Sequence, residues 1–293
     1  MAFDLLTLRL FVAVCEEQSI AKAAQRHHIA PSAVSKRLSD LETSARNMLF
    51  FRRSGGLQPT AAGEAMLRHA RAVLRDVTQM EDEMAAFGSG ATGTVRVYAN
   101  AWATALHLPR DLQRFLRAYP KIRIELKQEV SPAAIRALQS NDADLAILGA
   151  DYPAPDATIL PYREEAWVAI TPLGHPLAGA CRVTLHDMLA FDFVGVTKGS
   201  AIDQLVDRQA AQVGQAVRLR LRVSGFEAVG AMVEAGLGVS IVPQGWVKRY
   251  AASIRVVSLP LDEPWAQRRL VLCLRNPVEL TPAAKLLVDH LRA

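Results

Sequence analysis

The chain is poor in the residues that build covalent or metal scaffolds. Its 293 residues include three cysteines. Cys15, Cys181 and Cys273 lie far apart, are odd in number and form no C-x-x-C pair. That spacing argues against a disulfide framework or a zinc site and suits a reducing cytosol. The seven histidines are scattered, and the neighbours His27 and His28 cannot face one ligand from a helix, so no metal is expected. There is no P-loop and no G-x-S-x-G elbow, and no local motif suggests a Ser/His/Asp set. Gly236-Leu237-Gly238 precedes a strand and lacks a third glycine, so it reads as a helix end, not a dinucleotide loop. Asp4 and Arg9 interrupt the N-terminal apolar stretch, and no run is long enough for a signal peptide or a membrane span. The expectation is a cytoplasmic protein with no cofactor and no enzymatic centre.

What is present is a sizeable core and a local excess of positive charge. The length exceeds one typical domain, so a small and a larger domain are expected. Apolar residues make up 51% of the chain, enough for a large core. The formal net charge is +5. Residues 1–60 carry eight Lys and Arg against five acids, so +3 of that excess lies in the first fifth of the chain. The location is more informative than the size.

Those sixty residues read as three short helices and a basic turn. Leu5, Leu8, Phe11, Val12 and Cys15 recur at helical spacing. Ser19 caps a second helix from Ile20 to about His28, and its Ala23-Ala24 pair lets another helix cross closely. Pro31 suits the first position of a third helix. There Val34, Leu38 and Leu41 share one face, while Ser32, Ser35, Lys36 and Ser39 occupy the other. A small, polar, positive face is what a major groove accepts: short hydroxyls allow close approach, and lysine reaches a guanine or a phosphate. On an isolated helix the same face would simply be solvated. The neighbouring Arg52-Arg53-Ser54-Gly55-Gly56 turn favours a basic wing against phosphates or the minor groove. The layout is that of a winged helix-turn-helix, with double-stranded DNA as partner. The residues expected at the DNA are Pro31, Ser32, Ala33, Ser35, Lys36, Arg37, Ser39, Arg52, Arg53 and Ser54.

The run Leu8–Arg53 resembles the DNA-binding domain of LysR-type transcriptional regulators. The resemblance is carried by Leu10-Phe11-Val12-Ala13-Val14, Ser19-Ile20-x-x-Ala23-Ala24, Ser32-Ala33-Val34-Ser35, Leu41-Glu42 and Leu49-Phe50-x-Arg52. Leu57-x-Pro59-Thr60-x-x-Gly63 then follows. It departs from the family at the start of the third helix, where a usual Ser-Gln is replaced by Ala30 and Pro31. That replacement leaves recognition to Ser32, Ser35, Lys36 and the wing arginines.

Thr60 is a good helix cap, and no proline interrupts residues 61–87. Met66, Ala70, Val73, Val77, Met80, Met84 and Phe87 follow a 4-3-4-3-4-3 spacing, a heptad seam expected to pair two copies of the chain. The other reading is one helix packed on its own domain. Gly88-Ser89-Gly90-Ala91-Thr92-Gly93 is expected to end the helix as a flexible hinge.

From Thr94 onward strands alternate with helices. Strands are expected at 94–98, 122–128, 145–148, 166–171, 193–196, 219–223, 239–242 and 269–274. Helices are expected at 104–118, 132–140, 202–213, 227–235 and 283–292. Such alternation predicts a parallel sheet covered by helices on both faces, an α/β class. This part resembles the effector domain of the same family, which shares its two-lobe architecture with periplasmic solute-binding proteins. Glu234-Ala235-Gly236-Leu237-Gly238-Val239-Ser240-Ile241-Val242-Pro243 carries that likeness. The expected division is 1–60 for DNA binding, 61–93 for the linker helix and hinge, and 94–293 for effector binding. By the resemblance, residues 94–164 and 268–293 form one lobe and 165–267 the other.

Ligands of such sheets sit at strand carboxyl ends beside helix starts. That places Asn100, Ala101, Trp102, Ser131, Lys198, Gly199 and Ser200 at an effector site, with Ser224 and Phe226 as further candidates. Lys198 and Ser200 would hold a carboxylate. Asn, Ser and Lys at helix starts are also ordinary caps, and Trp102 either stacks on an aromatic effector or fills the pocket. The resemblance implies a regulator that binds an interrupted inverted repeat as a dimer or tetramer and responds to a small molecule. A transport-type solute-binding protein and an enzyme on the two-lobe fold are the alternatives. The DNA-like first sixty residues oppose the former, and the lack of a catalytic constellation opposes the latter.

Overall fold

A computed structural model describes residues 3–53, 56–89 and 91–293, without the side chains of 52, 53, 79, 82, 83 and 85–89. The chain divides into two compact units, Met1–Gly90 with Ser140–Asp142, and Ala91–Gln139 with Ala143–Ala293.

In the first unit, helices α1 (Leu5–Glu17), α2 (Ile20–Arg26) and α3 (Pro31–Ala45) precede an antiparallel ribbon of β1 (Phe50–Arg53) and β2 (Gly56–Pro59). The wing is thus a two-stranded ribbon, more than the turn expected from the glycines. Helix α1 starts where Asp4 accepts the Thr7 amide at 2.8 Å, and α2 where Ser19 accepts the Lys22 amide at 3.3 Å. Helix α3 begins on Pro31 with no side-chain cap, as a first-turn proline allows because its missing N–H would lack a partner there. Leu10, Phe11, Val14, Ala23, Ala24, Val34 and Leu41 are buried in one core, and the Phe11 and Phe50 rings meet at 5.2 Å. The Glu42 carboxylate accepts the amides of Leu49 at 2.7 Å and Phe50 at 3.3 Å, tying α3 to the ribbon.

Helix α4 (Ala61–Ser89) follows. Thr60 accepts the Gly63 amide at 3.0 Å and donates its hydroxyl to the Met48 carbonyl at 2.7 Å. A Cβ on Gly63 would fall 2.1 Å from the Leu49 carbonyl oxygen, so only glycine fits this crossing. Gly88 and Ser89, expected in the hinge, instead extend the helix. Of the expected hinge, Gly90 lies outside the described residues, and Gly93 already begins a strand.

The second unit has strands β3 (Gly93–Ala99), β4 (Ile122–Gln128), β5 (Leu145–Gly149) and β6 (Thr158–Pro172). Between them lie α5 (Ala101–Leu106), α6 (Leu108–Ala118) and α7 (Ser131–Gln139). Next come α8 (Leu185–Leu189), β7 (Phe193–Gly195), α9 (Ala201–Gln212), β8 (Leu219–Arg222), α10 (Phe226–Glu234) and β9 (Ser240–Pro243). The chain closes with α11 (Gln244–Tyr250), β10 (Val256–Pro260), β11 (Gln267–Leu274) and α12 (Pro282–Arg292). One sheet has the order β10-β6-β11-β5-β3-β4 with β9 also on β6, and β7 pairs β8 separately.

The expected all-parallel sheet holds only for β4-β3-β5 and β7-β8. Strands β6 and β11 run antiparallel to each other. They carry the chain out of one lobe and back, so opposite directions follow. Strand β6 pairs with β11 through residues 158–166 and with β9 or β10 through 167–172. Its first half escapes the sequence pattern because Pro161 and the charged run Arg163-Glu164-Glu165 break the apolar alternation. A register shift between Leu270 and Val271 accommodates that stretch.

The single helix expected over 104–118 is two, α5 and α6. Pro109 in the first turn of α6 has no N–H to continue the preceding helix. Helices α8 and α11 and strand β10 were not legible in the pattern. A main core of aliphatic and aromatic side chains fills the second unit, and a smaller cluster around Leu138, Leu148 and Cys273 covers part of the sheet. Burial pushes the Cys15 and Cys273 thiols up to about 12 and about 11, so both serve as packing groups.

Candidate functional site

Helix α3 presents two faces of opposite character. Val34, Leu38 and Leu41 are buried, whereas Pro31, Ser32, Ala33, Ser35, Lys36 and Ser39 are exposed. Ser32, Ser35, Lys36 and Ser39 therefore form a polar, positive strip, flanked by Pro31, Ala33 and the exposed Asp40. Arg37 does something else. Its guanidinium donates to the Asp4 carboxylate and to the Thr7 hydroxyl, each at 2.9 Å, anchoring α3 to the start of α1. At Asp4 the Thr7 amide is the leading influence, and with the Thr7 hydroxyl and Arg37 it outweighs slight desolvation and lowers the carboxyl pKa. Arg52 and Arg53 are paired opposite Leu57 and Gly56 in the wing; their side chains, and all of Ser54, lie outside the described residues.

Along α4 the seam changes character. Met66 is half-buried and Ala70 buried against the unit's own core. Val73, Met80 and Met84 are exposed by 43%, 56% and 60%, a run of large apolar groups that solvent contact disfavours. Val77 is half-buried, and the Phe87 side chain lies outside the described residues. An apolar groove lined by Phe3, Leu8, Met66, Ala70 and Val73 continues the seam toward α1.

In the second unit a cavity of about 260 Å³ lies between the two lobes. Seven of the nine expected residues line it: Asn100, Ala101, Trp102, Ser131, Ser200, Ser224 and Phe226. Lys198 and Gly199 do not. Lys198 is exposed, and the Gly199 amide donates to Asp203 at 2.9 Å. The lysine expected to hold a carboxylate is therefore not a lining group. Asn100 and Ser200 act as caps, accepting the Ala103 amide at 2.9 Å and the Asp203 amide at 3.3 Å. The Ser131 hydroxyl is buried and has no hydrogen-bond partner among the described residues.

Sequence reasoning missed Trp167 and Arg268, which also line the cavity. Trp167 packs edge-on against Trp102 at 5.5 Å and against Phe226 at 5.9 Å, so three aromatic rings form one wall. Arg268 alternates with Leu270 and Leu272 on the inward face of β11. Starting the predicted strand two residues earlier would have revealed it, because strand side chains alternate. Four cavity residues carry buried polar atoms without partners among the described residues: Trp102 Nε1, Trp167 Nε1, Ser131 Oγ and Arg268 Nε. Buried polar groups are usually paired, so these four atoms are the places in the lining residues where a partner is missing among the described residues.

Among the described residues, no group of three or more His, Cys, Asp or Glu is arranged to hold a metal. Nor is any described helix long and apolar enough to cross a membrane.

Comparisons with known proteins agree with both halves. Residues 5–64 match the model of the bacterial regulatory helix-turn-helix protein of the lysR family. Residues 88–293 match the LysR substrate binding domain. The RuBisCO operon transcriptional regulator of Allochromatium vinosum is 28% identical over 97% of this chain and 94% of its own. The transcriptional dual regulator GltC of Bacillus subtilis is 27% identical over 96% of this chain and 94% of its own. Full-length CbnR, solved in complex with its target DNA, shares the fold with a TM-score of 0.71 at 22% identity, covering 99% of each chain. With both of its units matched, one by the family's DNA-binding model and the other by its effector-domain model, the chain belongs to the LysR family of transcriptional regulators.

Proposed function

We propose that this protein binds an interrupted palindromic promoter site as a dimer or tetramer and changes its grip when a small molecule occupies the inter-lobe cavity. The observation that carries the first half is the exposed Ser32-Ser35-Lys36-Ser39 strip of α3 beside a two-stranded wing. A polar strip of that width enters a major groove, and its partner copy reads the second half-site. Self-association is supported by the exposed Val73, Met80 and Met84 and by the apolar groove that continues their line. The occupant of that surface is a second copy of α4.

In this reading residues 1–60 dock on DNA, 61–93 pair the copies, and 94–293 sense the effector. Residues 94–164 with 268–293 make one lobe, and 165–267 the other. The effector is a small carboxylate or aromatic molecule. A pocket somewhat smaller than the roughly 300 Å³ lower bound for drug-sized ligands suits a metabolite of modest size. The effector acts by binding two arrangements of the protein unequally, since equal affinity shifts nothing. A DNA partner supports a cytoplasmic location.

The test is a gel shift on the DNA upstream of its own gene across a salt series. Binding should weaken steeply as salt rises, because phosphate contacts release counterions. Affinity unchanged from low to high salt would contradict groove docking by Lys36 and the wing.

A further inference from the structure

The cavity holds a cation in the place where the sequence suggested only Lys198. The Arg268 side chain is 4% exposed, while its counter-ion Asp151 is 37% exposed. The pair is lopsided: a fixed, enclosed cation faces an anion that solvent reaches, on the turn after β5. Asp151 also uses the guanidinium incompletely. Both carboxylate oxygens sit on one nitrogen, Nη2, at 2.8 and 3.0 Å. The Nε on the same edge has no partner among the described residues. A carboxylate set squarely against a guanidinium takes two N–H groups in parallel, which is the stronger arrangement. Half of that fork is therefore unclaimed.

The surroundings select the sign and shape of what would claim it. Trp167 lies beneath the guanidinium, with Cζ 5.3 Å from the ring centre, holding its plane in place. Ser131, Trp102 and Trp167, which line the same cavity, carry a buried hydroxyl and two buried indole N–H groups without partners among the described residues. An indole N–H and a guanidinium cannot accept, so only an acceptor could pair with them. Arg208 adds positive charge near Arg268. The opposing charges are Asp151 and the exposed Glu129, which also lines the cavity. Trp102, Trp167 and Phe226, packed edge to face, leave an apolar aromatic wall for the rest of the molecule.

We propose that Arg268 is the anion-recognition residue of this cavity, that Asp151 is its resting counter-ion, and that the effector is an aromatic monocarboxylate that displaces Asp151 from the guanidinium. The exchange replaces one carboxylate by another, so the buried cation is never left unpaired, which would be costly. The inference rests on the reading of the cavity as the effector site.

The test measures binding of benzoate and 2-furoate, each against its neutral carboxamide, to the purified full-length protein by calorimetry and thermal shift. Each acid should bind at least about tenfold tighter than its amide, the worth of one charge-assisted contact. Asp151→Asn should tighten acid binding several-fold and leave the amides unchanged, because the internal competitor is gone. Arg268→Gln should erase the preference for acids; if that variant fails to fold, Asp151→Asn decides alone. Acids and amides binding equally to the unaltered protein, or Asp151→Asn weakening acid binding, overturns the proposal. Trp102→Leu separates the two levels of inference. If it weakens every probe while acids keep no advantage, the cavity is the site but Arg268 is not its reader. If acids bind indifferently to both Trp102→Leu and Arg268→Gln, or no probe binds at all, the cavity reading falls with the proposal.

Discussion

Ser32, Ser35, Lys36 and Ser39 sit within about two turns of one helix and face solvent. Trp102, Ser131, Trp167 and Arg268 reach one cavity from four separate elements and are almost wholly enclosed. The two regions treat polar groups in opposite ways. On α3 they stay hydrated until a large polyanion arrives, so their contribution is long-range and screened by salt. Around the cavity they are buried and held by packing, so tertiary structure fixes their surroundings and solvent screens them little. The exposed strip is assembled by helix periodicity alone; the cavity needs convergence of distant segments.

The largest test of that contrast is removal of residues 1–60. DNA binding should vanish, and the thermal shift produced by cavity ligands should remain. Retained DNA affinity would put the reading surface elsewhere.

Phe11→Ala comes next. Phe11 is fully buried against Phe50, and the truncation should cost the first unit about 3–5 kcal/mol. Two-probe unfolding should then show the second unit's transition in place and the first moved down or lost. A common downward shift of both would mean the units unfold as one.

Asp111 supplies the pH test on the cavity-bearing unit. Burial alone would raise its carboxyl pKa. Hydrogen bonds from Tyr162 at 2.6 Å and from Arg114, with the charge of Arg163 at 3.0 Å, outweigh this and hold it below 3.8. A depressed carboxyl contributes stability that is present above 3.8 and is lost as pH falls through its folded value. The unaltered protein should therefore weaken below about pH 4. Asp111→Asn should start about 1–2 kcal/mol less stable, because a buried carboxylate is lost from two partly solvated arginines, and show less of that acid slope. Equal slopes in both proteins would assign the acid sensitivity to other groups.

Of similar size is Lys36→Ala. It should weaken operator binding by about 1–2 kcal/mol and lower the salt slope by about one unit if the lysine meets a phosphate. Its melting temperature should not move, since the side chain is exposed. The smallest effect belongs to Arg37→Ala, whose pair with Asp4 is partly solvated at 39% and 37% exposure. A loss of about 1 kcal/mol or less in stability is expected, with little change in salt slope. A drop in slope equal to that of Lys36→Ala would place Arg37 on DNA after all.

How much was readable follows from the same contrast. The α3 start at Pro31, its buried Val34, Leu38 and Leu41, and the Ser19 and Thr60 caps are local facts, and spacing alone located them. Glu42 was visible as a motif letter, but its job of receiving two ribbon amides depends on residues seven and eight positions away. Seven cavity residues were found because helix starts at strand ends are a general rule of such sheets. Arg268 was hidden by its neighbours: Gln267-Arg268-Arg269 looks like a solvated strand entrance until the register of β11 turns the middle residue inward. Lys198 failed in the opposite direction, since a helix-start position does not determine whether a long side chain reaches the cavity.

Every residue of β6 from Thr158 to Pro172 lies in a strand that both lobes use, with ladder partners on each side of the crossing. A free peptide link between lobes would let them swing apart like a door. The β6 ladder passes from β11 to β9 and β10 between Ala166 and Trp167, so each half is held to its own side and bending is confined to the crossing. It yields to torsion, since strands twist readily about their own axis. The motion such a connection admits is a twist of one half of the strand against the other.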